Sequence, residues 1–152
     1  MSRAFVKEDA GEGEELPERP VSPHPNYVTR EGLARIDAEL DRLTAELAAA
    51  PADDQTLRRR IARDLRYWRA RRATASLVEP SKDGRAVQFG STVTIERDDG
   101  RRQTFRIVGE DEADPAHGTL SYVSPLAAAL IGKGVGDTVP VGSGEAEIVK
   151  TE

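Results

Sequence analysis

Between residues 33 and 68 the large apolar side chains fall three and four positions apart, in two separate runs. Leu33, Ile36, Leu40, Leu43 and Leu47 form the first, and Leu57, Ile61, Leu65 and Trp68 the second. This spacing is that of the a and d positions of a coiled coil. It gives each helix one narrow stripe, and so one main partner. Thr29 offers a capping hydroxyl for the first helix, and Glu31 puts a carboxylate in its first turn, where the helix dipole favours it. Pro51 ends that helix by pushing Ala50 away from helical dihedrals. A second helix is predicted from Asp53 or Asp54, its seam passing Trp68 to Arg72 or Ala75 and closing with Leu77 and Val78. So short a connection forces the pair antiparallel. The first helix spans about 21 residues, or ~32 Å at ~1.5 Å per residue.

Past Glu79-Pro-Ser-Lys-Asp-Gly84, a linker with turn chemistry, the apolar period changes to two. Val93 and Ile95 alternate with threonines, Asp98-Asp99-Gly100 is a hairpin signal, and Phe105 and Ile107 alternate on the far side. Thr92–Arg97 and Gln103–Val108 are therefore expected to pair antiparallel. Glu110 to Gly118 reads as an acidic loop, and residues 120–123 as a third strand. Ser124 and Pro125 supply an N-cap and a first helical residue for a short helix over 126–131, ended by Gly132. Thr138–Val141 and residues 146–149 make two more strands. The fold class is α+β: a short antiparallel α-helical coiled-coil hairpin, then an antiparallel β domain with one short helix.

Charge is distributed unevenly. Residues 58–78 hold eight arginines against Asp64 alone, directly after the acidic stretch 29–57, within a chain of net charge -5. An ion-paired hairpin face accounts for many of these arginines. The remainder stay free for an acidic partner or nucleic acid. Residues 1–26 carry Pro17, Pro20, Pro23, Pro25 and many acids but few large apolar side chains. They read as a disordered or extended arm, with wrapping of a partner as the functional alternative.

Several chemistries are excluded. With no cysteine there is no disulfide scaffold, thiolate metal site or thiol nucleophile. Only His24 and His117 are available as imidazoles, too few for most zinc sites or a Ser-His-Asp relay. A mean hydropathy of -0.55 and short apolar runs argue against a membrane span. Met1 to Asp9 lacks the apolar centre of an export signal, so a cytoplasmic protein is expected. Gly132, Gly134 and Gly136 follow a helix and precede a strand, the reverse of a phosphate cradle, and read as a turn. His117 reads as a solvated loop residue, although a metal site with Asp111 and Asp114 is conceivable. Asp53 and Asp54, at the hairpin tip, are either a helix cap or a pair able to hold Mg²⁺.

The order of these parts resembles the bacterial Gre family of transcription elongation factors, closer to the GreB branch than to GreA. Ser121-Tyr-Val-Ser124-Pro125-Leu126-Ala-Ala-Ala-Leu130-Ile131 with Gly136-Asp137 matches the family's carboxy-terminal signature. Val28-Thr-Arg-Glu-Gly32-Leu33, Asp98-Asp-Gly100, Phe105-Arg-Ile-Val-Gly109-Glu-Asp-Glu112, Asp64-Leu-Arg-Tyr67 and Leu77-Val-Glu-Pro80 are similar to other family segments. Together they cover residues 27–152.

The resemblance implies a coiled coil over 27–78 and an FKBP-like domain over 79–152 that docks at the rim of RNA polymerase's secondary channel. It implies Ser121, Ser124, Pro125 and Leu126 at that contact, RNA polymerase as partner, indirect contact with nucleic acid in the elongation complex, and no membrane. Family members use acids at the tip of a long coiled coil to help bind a Mg²⁺ that drives cleavage of backtracked RNA. Here Ala48 to Gln55 (AAAPADDQ) replaces the family's Gly- and Asp/Asn-rich tip, and the arms are shorter. The expectation is thus a polymerase-binding regulator that is not itself an enzyme, with no catalytic residue, metal ligand or cofactor carried over. The alternatives are cleavage stimulation through Asp53 and Asp54, or a role like that of the short-armed regulator of nucleoside diphosphate kinase. A prolyl isomerase would need an aromatic-lined pocket, for which Phe89, Phe105 and Tyr122 are scant material.

Overall fold

The computed structural model describes residues 16–152. Helix α1 (Arg30–Ala49) and helix α2 (Gln55–Thr74) form the hairpin. The Thr29 hydroxyl accepts the Gly32 N–H, and the Asp54 carboxylate accepts the Leu57 N–H, so both N-caps are side-chain caps. The open carbonyls at the end of α1 are met from the other helix: Arg58 Nη1 donates to Leu47 O at 3.3 Å and Ala50 O at 3.1 Å. Leu43, Ile61 and Leu65 are buried in the seam, with Leu40, Leu47, Ala50, Leu57 and Trp68 packed against them.

Beyond Trp68 the seam departs from its sequence expectation. The inward residue is Arg71, 1% exposed, not Arg72 or Ala75. A step of three or of four satisfies the repeat equally well, and the choice is made by polar partners from distant segments. Helix α2 then stops at Thr74. Leu77, expected to close the seam, lies in strand β2 (Ser76–Leu77), is 45% exposed, and pairs parallel with strand β1 (Tyr27–Val28).

Strands β3 (Thr92–Arg97), β4 (Arg102–Val108), β5 (Thr119–Ser121), β6 (Thr138–Val141) and β7 (Gly144–Thr151) form a sheet in the order β5-β4-β3-β7-β6. Val93 faces Phe105 across β3 and β4, as the alternation requires, and Gly100 turns their hairpin at φ +85°. The sheet is mixed rather than antiparallel, because β5 runs parallel to β4. Parallel neighbours need a crossover. Residues 109–118 supply one through two single 3₁₀ turns, Glu110–Glu112 and Pro115–His117. The third strand ends before Tyr122, whose ring instead meets Tyr27 at 5.3 Å and Phe89 at 5.7 Å between centroids. Helix α3 (Pro125–Leu130) covers the sheet, and Val87, Val93, Ile95, Ile107, Leu120, Ala127, Leu130, Val139, Ala146 and Ile148 form the core.

Residues 16–26, expected within a disordered or extended arm, run along α2. Arg19 stacks over the Tyr67 ring at 3.9 Å and reaches Asp64 at 3.5 Å, while Glu18 pairs with Arg66. Arginine stacking and the rigid φ of prolines lower the cost of ordering a segment with little apolar surface. The remainder of the expected arm, residues 1–15, lies outside the described residues.

Leu43 is 3% exposed at the centre of the seam. Leu43→Ala is expected to cost about 2–5 kcal/mol in urea unfolding. A loss below 1 kcal/mol would mean the seam is not the hairpin's core.

Candidate functional site

The hairpin meets the sheet at a buried polar cluster. Arg71 Nε donates to Asp111 Oδ2 at 2.5 Å, and its Nη2 donates to Asn26 Oδ1 at 2.8 Å. Asn26 in turn donates through Nδ2 to Arg71 O at 2.7 Å and to Thr74 Oγ1 at 3.2 Å. One asparagine thereby caps the carboxy end of α2 and holds its guanidinium. The Tyr67 hydroxyl, one turn earlier, donates to the other Asp111 oxygen at 2.5 Å. Burial and this bond to Asp111 push the Tyr67 phenol up to about 12. Glu110 lies 3.8 Å from Arg71 through Oε2, and its Oε1 accepts from Ser22 of the arm at 3.0 Å. Burial, and then the Glu110 charge, raise the Tyr122 phenol as well.

Glu112 binds the start of the hairpin. Its Oε2 accepts the backbone N–H of Thr29 at 3.0 Å and of Gly109 at 3.2 Å, and its Oε1 accepts the Thr29 hydroxyl. This carboxylate is 8% exposed and sits against Gly32, where a Cβ would come within 2.1 Å of Glu112 Cδ. A Cβ at Gly109 would lie 2.3 Å from Tyr27 O. Both glycines are therefore required by close approach. All three acids of the 3₁₀ turn Glu110–Glu112 are spent on the joint, so the segment expected as an acidic loop is the structural weld between hairpin and sheet.

The expected site residues fall in two places. Asp53 is exposed at the tip, and Asp54 beside it is engaged as the α2 cap. Ser121, Ser124, Pro125 and Leu126 stand together where β5 enters α3. Ser124 Oγ accepts the Ala127 N–H at 3.4 Å, Ser121 Oγ accepts the Val123 N–H at 3.3 Å, Pro125 is exposed, and Leu126 packs on the core. Both serines thus perform local turn and cap work. His117 Nδ1 lies 2.6 Å from Asp114, whereas Asp111 is turned away to Arg71. Among the described residues no group of three His, Asp or Glu side chains converges as a metal site. Gly132 and Gly136 take φ +88° and +96°, as turn glycines do. Asn26, Tyr67 and Arg71 are not among the expected site residues, and Asp111, considered only as a metal ligand beside His117, belongs to the joint instead. The one sequence signal for the joint lay in Gly32 and Gly109-Glu-Asp-Glu112, which stand far apart in the chain yet occur where neither a helix interior nor a strand end favours glycine.

Residues 82–152 match the family model described as "Transcription elongation factor, GreA/GreB, C-term". The transcription elongation factor GreA of Bradyrhizobium diazoefficiens is 37% identical over 146 residues, covering 92% of this chain and 90% of that protein. GreB of Yersinia pestis is likewise 37% identical over 137 residues, covering 76% of this chain and 80% of that one. The crystal structure of GreA factor homolog 1 of Thermus thermophilus is 23% identical, covers 85% of this chain and 99% of that one, and has a TM-score of 0.41. An α-hairpin on a curled mixed sheet, with this carboxy-terminal signature, defines a Gre-type transcription elongation factor. The chain belongs to the GreA/GreB family. Both branches are represented among its relatives, and the matches do not single out GreB. No helix among the described residues is long and apolar enough to cross a membrane.

Two adjacent arginines separate buried from exposed pairing. Arg71→Ala, which leaves Asp111 and Glu110 unpaired at the joint, is expected to cost about 3–5 kcal/mol in denaturant unfolding. Arg72→Ala, which removes an exposed pair with Asp37, is expected to cost under about 1 kcal/mol. Equal losses would contradict the role given to Arg71. A phenol whose pKa is raised in the folded state adds stability below its unfolded pKa and loses it as pH rises through the folded one. The melting temperature should therefore fall as pH climbs from 10.0 towards 12. Tyr67→Phe should flatten that fall, and an unchanged slope would refute the assignment.

Proposed function

We propose that this protein binds RNA polymerase at its secondary channel through the β domain and regulates elongation from the channel mouth, without supplying metal ligands for transcript cleavage. In this reading Ser121, Ser124, Pro125 and Leu126 form the docking edge. A rigid cap with an exposed proline beside it presents an apolar contact whose geometry is already fixed. Acting on polymerase would place the protein in the cytoplasm, with nucleic acid contacted only inside the elongation complex.

The observation that carries the non-catalytic part is the tip. Helices α1 and α2 are 20 residues each, which makes arms of ~30 Å at ~1.5 Å per residue. The turn between them offers Asp53 and Asp54, and Asp54 already accepts the Leu57 N–H at 3.1 Å. Mg²⁺ demands oxygen ligands at ~2.1 Å in near-octahedral geometry. One free carboxylate on a short arm does not bring such a set to a distant centre.

The test uses stalled, backtracked elongation complexes with Mg²⁺ and follows the RNA 3′ end. No stimulated cleavage is expected. A long-armed cleavage factor added to the same reaction should be inhibited as this protein's concentration rises, since both compete for one channel. Asp53→Asn with Asp54→Asn should change neither result, because Asn also caps helices. Cleavage that the double substitution abolishes would establish the catalytic alternative.

The docking edge is tested separately, by pull-down with core polymerase. Ser124→Ala with Pro125→Ala should weaken binding by more than its effect on stability, for which the cap accounts for ~1 kcal/mol. Unchanged binding by a folded variant would move the contact elsewhere.

A further inference from the structure

Helix α2 holds a socket for a guanidinium that comes from outside the hairpin. Arg19 Cζ lies 3.9 Å from the Tyr67 ring centroid and 5.7 Å from that of Trp68, and the two rings stand 5.1 Å apart at 88°. Asp64 Oδ1 faces the same guanidinium at 3.5 Å. Asp64 is the only acid of residues 58–78, which otherwise carry eight arginines. A cation is thus taken up on a helix whose own charge repels it, because an aromatic face and one carboxylate meet at that point. The neighbouring residue of the arm has the opposite charge and finds the opposite partner: Glu18 accepts from Arg66 Nε at 3.0 Å. Leu16 and Glu18 line a shallow pocket of about 260 Å³ with Arg59, Ala62 and Arg66.

Prolines set the strand that delivers these side chains. Pro17, Pro20 and Pro23 fix their own φ, and Leu16, Arg19 and Ser22, each before a proline, are restricted to extended dihedrals. Polyproline II geometry has three residues per turn, and the contacts keep that period. Leu16, Arg19 and Ser22 reach the body of the protein, Ser22 by donating to Glu110, while Pro17, Pro20 and Pro23 are exposed. Among the described residues no backbone-to-backbone hydrogen bond holds residues 16–24. The ion pairs that do hold them are open to solvent, with Arg19 37% and Glu18 61% exposed, so each is worth little and is screened by salt. Firm attachment begins at Pro25 O, which accepts from the Tyr122 hydroxyl at 2.5 Å, and at buried Asn26.

We propose that this face of α2 is a peptide-binding site for a partner's extended, proline-rich segment of the pattern Leu-x-Glu-Arg, and that residues 16–22 are its tethered, displaceable occupant. The arm lifts from Asp64, Tyr67 and Trp68 without disturbing the bonds of Asn26 to Arg71. The partner's arginine then enters the same socket, its glutamate meets Arg66, and its leucine lies against Ala62. A short tether keeps the resident arm at an effective concentration of ~1 mM, so the site stays closed to ligands that bind only weakly.

The test uses the full chain with Leu16→Ala and Arg19→Ala, which vacates the site and touches no residue of the joint. The probe is a synthetic peptide of residues 16–25. Trp68 is the chain's only tryptophan and the peptide has none, so Trp68 emission reports occupancy. The variant should bind the peptide. The unsubstituted chain should bind it about tenfold more weakly, as an occupant at ~1 mM dictates for an intrinsic Kd of ~0.1 mM. A peptide with citrulline in place of its arginine keeps the side chain's shape but not its charge, and should lose most of the affinity. Adding Asp64→Asn to the variant should weaken binding of the arginine peptide and leave that of the citrulline peptide unchanged. Backbone amide signals of residues 59–68 should shift in the same titration. A folded variant that does not bind would overturn the proposal. So would equal affinity in the unsubstituted chain, equal affinity for the citrulline peptide, or shifts confined to other residues. None of these readouts involves polymerase, so the outcome is independent of the function proposed above.

Discussion

A single buried guanidinium fixes how the two halves of this protein meet. Arg71 projects from the last turns of α2 at the position where a seam residue would be apolar, and finds Asp111 and Asn26 instead. Removing an arginine from water is costly unless its hydrogen bonds are replaced in full and its charge is met. The replacement comes from Asn26 at the end of the arm and Asp111 in the 3₁₀ turn after β4, and Tyr67 of the helix holds the same Asp111. Each is held in place by the others, and the helix cannot slide or rotate on the sheet without leaving a charge unpaired.

Glu112 performs the complementary task at the start of α1. Its carboxylate joins the Thr29 cap to the Gly109 backbone, and the close packing against Gly32 leaves no space for a side chain there. The two attachments, one on each helix, explain why a hairpin of modest length keeps a defined direction from the sheet. A lever with one fastening would pivot. With two, at the entry of the first helix and the exit of the second, it is clamped at its base while its tip stays exposed.

That arrangement bears on what a Gre-family member of this shape can do. A clamped base delivers the tip to one place relative to the β domain, and the length of the arms decides how far it goes. The chemistry at the tip is sparse, since Asp54 is committed to the start of α2. Positive charge lies along the flank of α2, beside the arm that runs along it.

The sequence by itself determined the elements. Repeats of three and four marked both helices, Pro51 and Thr29 marked their limits, and Asp98-Asp99-Gly100 placed the first β-hairpin, because these signals act through neighbours within one or two turns. The residues quoted from Ser121 to Ile131 likewise made the family legible. Tertiary structure alone decided which way the seam continued after Trp68, that β5 would run parallel to β4, and that residues 16–26 would lie along α2. The deciding partners are distant in the chain: Asp111 for Arg71, the β4 backbone for residues 119–121, Tyr67 for Arg19. An arginine in a heptad looks like a solvated residue until the carboxylate that faces it is known. A run such as Glu110-Asp111-Glu112 looks like a solvated loop for the same reason. Local propensity cannot price a buried charge, because its cost or gain is set by a partner that only the folded chain brings within hydrogen-bonding distance.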